Sequence, residues 1–100
     1  MGGNKTYRLI IVPEAVEEID DLHRFYEEVR PGLGDRFMDE LGDCFNDLLA
    51  NPGRFQFVRS KHEGIRRGLL NRLPVMFLYR ETGTELRILM VRDARSDWKK

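Results

Sequence analysis

The sequence holds a single cysteine, Cys44, among its 100 residues, so no internal disulfide can form. Histidine is scarce too: His23 and His62 are the two present, and no zinc-ligand spacing accompanies them. No apolar run approaches the ~20 residues that cross a bilayer, and residues 1–5 open no signal-peptide core. These absences exclude disulfide scaffolds, zinc modules and membrane proteins. A reducing cytoplasm is the expected compartment, with no metal and no cofactor. Glycine-rich phosphate cradles are missing as well, since Gly32-Leu33-Gly34 is too short and sits between two helical patterns. Ser60 and Ser96 lack the neighbours of a nucleophile elbow. There is no excess of positive charge, with 17 basic and 17 acidic residues, so direct nucleic-acid binding is not expected.

The charge that is present is unevenly placed. Residues 1–53 carry five basic and twelve acidic residues, a net −7, and residues 54–100 carry twelve and five, a net +7. Such a split prepares one face for an acidic partner, or lets the halves neutralise each other in the fold. A length of 100 residues predicts one domain spanning 1–100, with a single core.

Apolar periodicity supplies the element order. Tyr7 to Val12 is short, apolar and β-branched enough for one strand. Pro13 then suits a first helical position, and Glu14, Glu17 and Glu18 suit the first turns. Ala15, Ile19, Leu22, Tyr26 and Val29 make one stripe, predicting a helix over 14–29. Pro31-Gly32-Leu33-Gly34 breaks it. Phe37, Leu41, Phe45 and Leu48 repeat the helical step, with Cys44 and Leu49 beside them, until Asn51-Pro52-Gly53. Cys44 on that apolar side is expected to be a packed thiol rather than a nucleophile. Residues 54–63 suggest a loop or irregular edge. Ile65 to Leu70, Val75 to Tyr79 and Leu86 to Val91 are strand candidates, the last two joined through Thr82-Gly83-Thr84. The predicted class is α+β, in the order β-α-α-β-β-β: an N-terminal strand, then an antiparallel helical hairpin packed on a small, mainly antiparallel sheet.

Two features point to binding. The strand at 75–79 is apolar at every position, so its second face needs a cover, either the tail around Trp98 or another polypeptide. Arg54, Arg59, Lys61, Arg66, Arg67 and Arg72 also crowd one stretch, with Arg66 and Arg67 expected on opposite faces of a strand. Arginines hold carboxylates or phosphates through paired hydrogen bonds, but cleavage needs a proton acceptor, and His62 is the only candidate general base. Acidic pairs such as Asp20-Asp21 and Glu27-Glu28 suit solvated helix faces, and His23 suits boundary packing.

An ordered set of segments, over residues 7–98, resembles the RelE/ParE superfamily of bacterial type II toxins, most closely its ParE branch. Tyr7-Arg8-Leu9-Ile10-Ile11 before Pro13-Glu14-Ala15 resembles the family's first strand and helix. Phe25-Tyr26 and Phe37 to Leu49 resemble its helix aromatics and second helix. Gly64-Ile65-Arg66-Arg67-Gly68-Leu69-Leu70 and Pro74-Val75-Met76-Phe77-Leu78-Tyr79 are similar to its double arginine and proline-led strand. Ile88-Leu89-Met90-Val91, with Arg95 and Trp98 beyond, is similar to its last strand and tail. The resemblance implies a plasmid-stabilisation type of toxin that inhibits growth and is neutralised by a cognate antitoxin. ParE-like members inhibit DNA gyrase and RelE-like members cut messenger RNA on the ribosome. The RelE-like third-strand arginine corresponds to Met76 here, and the tail carries Arg92-Asp93 without tyrosine or histidine, so the gyrase-directed, non-enzymatic role is the expectation. A ribosome-dependent nuclease using Arg66, Arg67 and Arg92 is the alternative, and an inactive binding module a second one. Arg92-Asp93 also replaces a histidine common in ParE-like tails. The expected toxic surface is Arg66, Arg67, Arg92, Arg95 and Trp98. The expected antitoxin contacts are Arg59, Met76, Leu78 and Tyr79. Arg66 and Arg67 are expected to be replaceable together without loss of the fold.

Overall fold

The computed structural model describes residues 6–59 and 64–95. Six elements follow in the predicted order: β1 (Arg8–Ile11), α1 (Pro13–Val29), α2 (Leu33–Ala50), β2 (Ile65–Leu69), β3 (Val75–Thr82) and β4 (Glu85–Asp93). They form one α+β unit with a four-stranded sheet in the order β1-β4-β3-β2. Strand β1 runs parallel to β4, and the other two pairings are antiparallel. Because β1 docks beside the last strand, β4 and β3 are central and β2 is an edge.

Local chemistry sets the helix limits. Pro13 opens α1 where no intrahelical N–H is required. Gly32 adopts φ +88°, a left-handed conformation that turns the chain from α1 into α2 at little cost for glycine. Both helices lay their apolar stripes on one face of the sheet. Ala15, Ile19, Tyr26, Phe37, Leu41, Phe45 and Leu48 pack there with Val75, Phe77, Tyr79, Leu86, Ile88 and Val91. Val29, predicted to continue the α1 stripe, is exposed because the helix ends as it leaves the core.

Strands β3 and β4 serve two cores at once. Leu78 pairs with Met90 and Tyr79 with Ile88, which leaves Leu89 as a bulged residue without a partner. The extra residue matters because Ile88 and Val91, three apart, would otherwise point to opposite faces. With the bulge both join the helix-side core, while Leu89 and Met90 pack beside Ile65, Met76 and Leu78 on the other side. Val58 and Ala94 also lie against that second cluster. They answer part of the question of what covers the second face, and Trp98 lies outside the described residues.

The centre of the helix-side core is aromatic. The Phe77 ring meets Phe45 edge-on at 5.2 Å and Phe55 at 5.8 Å. It also fills the space over its cross-strand partner Gly68, where a Cβ would lie 2.2 Å from the Phe77 Cζ. Phe77 is fully buried, so the ring has no free volume into which to retreat. Gly68→Ala is therefore expected to cost ~1–3 kcal/mol by overpacking, seen as a lower urea midpoint with an unchanged slope. An unchanged midpoint would show that β2 can lift away from Phe77 freely.

Candidate functional site

The alternation of β2, β3 and β4 sorts the arginines by face. Arg66 pairs with Tyr79 and belongs to the helix side, whereas Arg67 pairs with Leu78 and belongs to the helix-free side. Arg92 lies opposite Met76, and Arg80 opposite Arg87, on that same helix-free side. The second face therefore has an apolar middle at Met76 and Leu78 and a rim carrying Arg67, Arg80, Arg87 and Arg92. The sequence pattern missed Arg80 and Arg87. The three-residue turn Thr82-Gly83-Thr84 would have paired Arg80 with Leu86; the observed loop is Gly83-Thr84 alone, with Thr82 facing Glu85, and this brings Arg80 opposite Arg87.

Arg66 has a structural task. Its Nη1 donates to the Phe55 carbonyl oxygen at 2.6 Å, and its guanidinium lies 3.7 Å from the centre of the Phe57 ring. Residues 56–58 thereby run along the β2 edge, with Val58 N–H donating to Ile65 O and Arg67 N–H donating to Gln56 O. Arg66 thus holds the loop that covers the edge, so replacing Arg66 and Arg67 together carries a stability cost through Arg66. Arg92 is also engaged, its Nε donating to Glu18 Oε2 at 2.7 Å while the Val91 N–H donates to Glu18 Oε1 at 3.0 Å. The single carboxylate closes β4 beyond the point where β1 has ended. Arg95 forms a forked pair with Asp93, through Nε at 2.9 Å and Nη2 at 2.7 Å. Arg67 and Arg92 occupy strand positions on one face, although the Arg92 guanidinium reaches round the open flank of β4 to Glu18 of α1; Arg66 stands on the opposite face, and Arg95 turns back onto its own strand. Trp98 and His62 lie outside the described residues.

Burial decides much about the expected contact residues. Arg59 is exposed. Met76 and Tyr79 are 0% exposed and Leu78 is 7% exposed. Tyr79 lies beneath the helices, and its hydroxyl donates to the Pro52 carbonyl oxygen at 2.8 Å. It is a core residue that offers no surface to a partner in this fold. Met76 and Leu78 point to the helix-free side but are covered by their own neighbours.

Among the described residues, proton-transfer chemistry is poorly provided on the arginine face. The register of β4 puts Glu85 there, and a hydrogen bond from Arg8, assisted by Arg87, holds its carboxyl below the ordinary range. A lowered pKa makes a weaker base. Cys44, half-buried, has its thiol pushed up by burial, which agrees with packing rather than nucleophilic attack. A groove of about 570 Å³ runs beside Cys44 between α2 and the β2–β3 turn, lined among others by Leu33, Arg54, Leu70, Arg72 and Leu73. Among the described residues, no helix is long and apolar enough to cross a membrane.

No family model and no curated protein matches the sequence. Solved structures do match its fold. A chain of the chromosomal ParDE toxin–antitoxin system of P. aeruginosa superposes with a TM-score of 0.75 at 19% identity, covering 88% of this chain and 96% of that one. A chain of the E. coli DinJ–YafQ toxin–antitoxin complex gives 0.69 at 10% identity, covering 94% and 99%. A chain of the RelBE2 toxin–antitoxin complex of Mycobacterium tuberculosis gives 0.64 at 21% identity, covering 95% and 98%. The protein has the RelE/ParE toxin fold. On its helix-free face, Met76 is fully buried and lies opposite Arg92.

Two outcomes follow from these contacts. Arg66→Ala removes a charged hydrogen bond and a ring contact, and should lower stability by about 1–3 kcal/mol. Arg66→Lys should not restore it, because a planar fork and stacking are both lost. Chemical denaturation of the three proteins measures this. Hydrogen bonds from the Arg95 side chain and backbone hold the Asp93 carboxyl down to about 2. Its folded value is below the unfolded ~3.9, so its stabilisation is complete above that value and lost as pH falls through about 2. Melting temperatures of wild type and Asp93→Asn should therefore differ at pH 6 and converge towards pH 2.

Proposed function

We propose that this chain is the toxin of a type II toxin–antitoxin pair, that it works in the cytoplasm, and that a cognate antitoxin neutralises it. The observation that carries this reading is the fold, shared over nearly the full chain with proteins from three toxin–antitoxin complexes. We further propose a ParE-like action, in which the protein binds and inhibits DNA gyrase without cutting a substrate. The arginine face supports binding over cleavage. It offers cations for carboxylates or phosphates, while its described carboxylate Glu85 is a weakened base and its middle is filled by Met76. The toxic surface on this reading centres on Arg67 and Arg92, with Arg95 and Trp98 following in the chain and Arg66 supporting from behind.

The antitoxin is proposed to dock on the same side as an amphipathic, acidic segment. Exposed Arg59 and the arginine rim would meet its carboxylates, and its apolar side would approach Met76 and Leu78 once Val58 and Ala94 yield. The runner-up, a ribosome-dependent nuclease, draws on the two arginines that share one face, Arg67 and Arg92, aided by Arg66. These would position a phosphate rather than accept a proton.

Induction in a bacterial host, with labelled thymidine and labelled methionine followed over the first minutes, separates the readings. Early loss of DNA synthesis with protein synthesis intact is expected. Early loss of protein synthesis would replace the gyrase reading with the nuclease. If neither falls while folded protein accumulates, the fold serves a binding module without toxicity.

A further inference from the structure

Where α1 meets the beginning of α2, three side chains of different chemistry converge. His23 and Glu27 stand one turn apart on α1, and Asp35 lies in the first turn of α2. His23 Nε2 is 3.2 Å from Asp35 Oδ1, and one donor atom from each of the three residues lies within 4.8 Å of the other two. We propose that His23, Glu27 and Asp35 form a binding site for a divalent transition-metal ion of the zinc class, bridging the two helices of the hairpin.

The spacing suits such an ion. Metal–donor bonds of ~2.0–2.2 Å in a tetrahedron place donors roughly 3.3–3.6 Å apart. The His23–Asp35 separation is already near that value, and a Glu27 carboxylate oxygen lies within 4.8 Å of both donors. The backbone framework is fixed tightly enough to hold the donors there. Gly34 packs so closely against α1 that a Cβ on it would lie 2.6 Å from the His23 carbonyl oxygen and 2.8 Å from Glu27 Oε1. The Glu27 carboxylate is oriented as well, accepting from Gly34 N–H at 2.8 Å and Gly32 N–H at 3.0 Å. Each of its oxygens keeps a second lone pair, so the backbone bonds orient this carboxylate for an ion.

Charge and softness narrow the ligand. Two carboxylates and a neutral imidazole balance a dication, and the same carboxylates offset the positive end of α2 beside them. The imidazole nitrogen favours zinc, cobalt, nickel or copper over magnesium or calcium, which prefer oxygen. Three protein donors leave a fourth position for water. His23 and Glu27 are part-buried and Asp35 is exposed, so an ion can enter from solvent. The site escapes a search for sequence spacing because its third donor comes from the other helix.

The untagged full chain, stripped with a chelator, tests the proposal. Isothermal titration with Zn²⁺ should give one ion per chain, and Co²⁺ should develop a visible absorption band, while Mg²⁺ and Ca²⁺ give neither. Glu27 also caps α2, so the informative variants are His23→Gln and Asp35→Asn, with folding checked by circular dichroism. Each should weaken Zn²⁺ binding at least about tenfold and erase the Co²⁺ band, and His62→Ala should change neither. Absence of saturable Zn²⁺ binding, or binding unchanged in both folded variants, overturns the site. So does a loss confined to His62→Ala.

Discussion

The bulged residue in β4 is the constraint on which the two-sided architecture rests. A regular strand would send Ile88 and Val91 to opposite faces. The helices would then lose one of the contacts that seal their core, and the second face would gain a misplaced apolar group. By absorbing Leu89 as an unpaired residue, the strand changes phase midway and serves helix-side positions on both sides of the bulge. The same phase change puts Met90 beside Leu78 and Arg92 opposite Met76. The arrangement of the arginine face is thus a product of one irregularity in the ladder.

A second economy lies at the open flank of β4. Strand β1 is short and leaves the sheet after Ile11, which exposes backbone donors further along β4. Glu18 supplies an acceptor for the Val91 N–H and, with its other oxygen, for the Arg92 side chain. A charged acceptor in place of a strand gives stronger individual bonds. It also couples the position of a surface cation to the docking of α1. The arginine face and the helical layer are therefore connected through that carboxylate, although they lie on opposite sides of the sheet.

Much of this fold was legible because its signals are local. Pro13, the Pro31–Gly34 breaker and the stripes of apolar residues mark the helices. The alternation of β2 places Arg66 and Arg67 on opposite faces without any structure. What escaped depends on partners distant in sequence. The parallel neighbour of β1 cannot be inferred from its own four residues, nor can the bulge at Leu89 from an unbroken apolar run. The strands extend beyond their apolar stretches, to Thr82 and Asp93, because ladder hydrogen bonds continue where polar side chains face solvent. Tyr79 was expected at a contact because it closes an apolar strand that resembles a family motif. The loop carbonyl of Pro52, which receives its hydroxyl, is visible only after folding. The engagement of Arg92 and Arg95 by acids was hidden in the same way, since formal charge does not show which cations are already paired.

Strand order also has a consequence for how the protein is born. Arg8 and Leu9 find their ladder partners at Glu85 and Leu86, so β1 has no neighbour until the second half of the hairpin between β3 and β4 has been synthesised. On the ribosome, the helical pair can close early through local contacts, but its apolar stripe must wait for a sheet that emerges late. The nascent chain therefore carries an unsatisfied strand and an uncovered helical face for most of its synthesis. Sequestration of those surfaces in that interval, by a chaperone or a neighbour, would act before the arginine face exists at all.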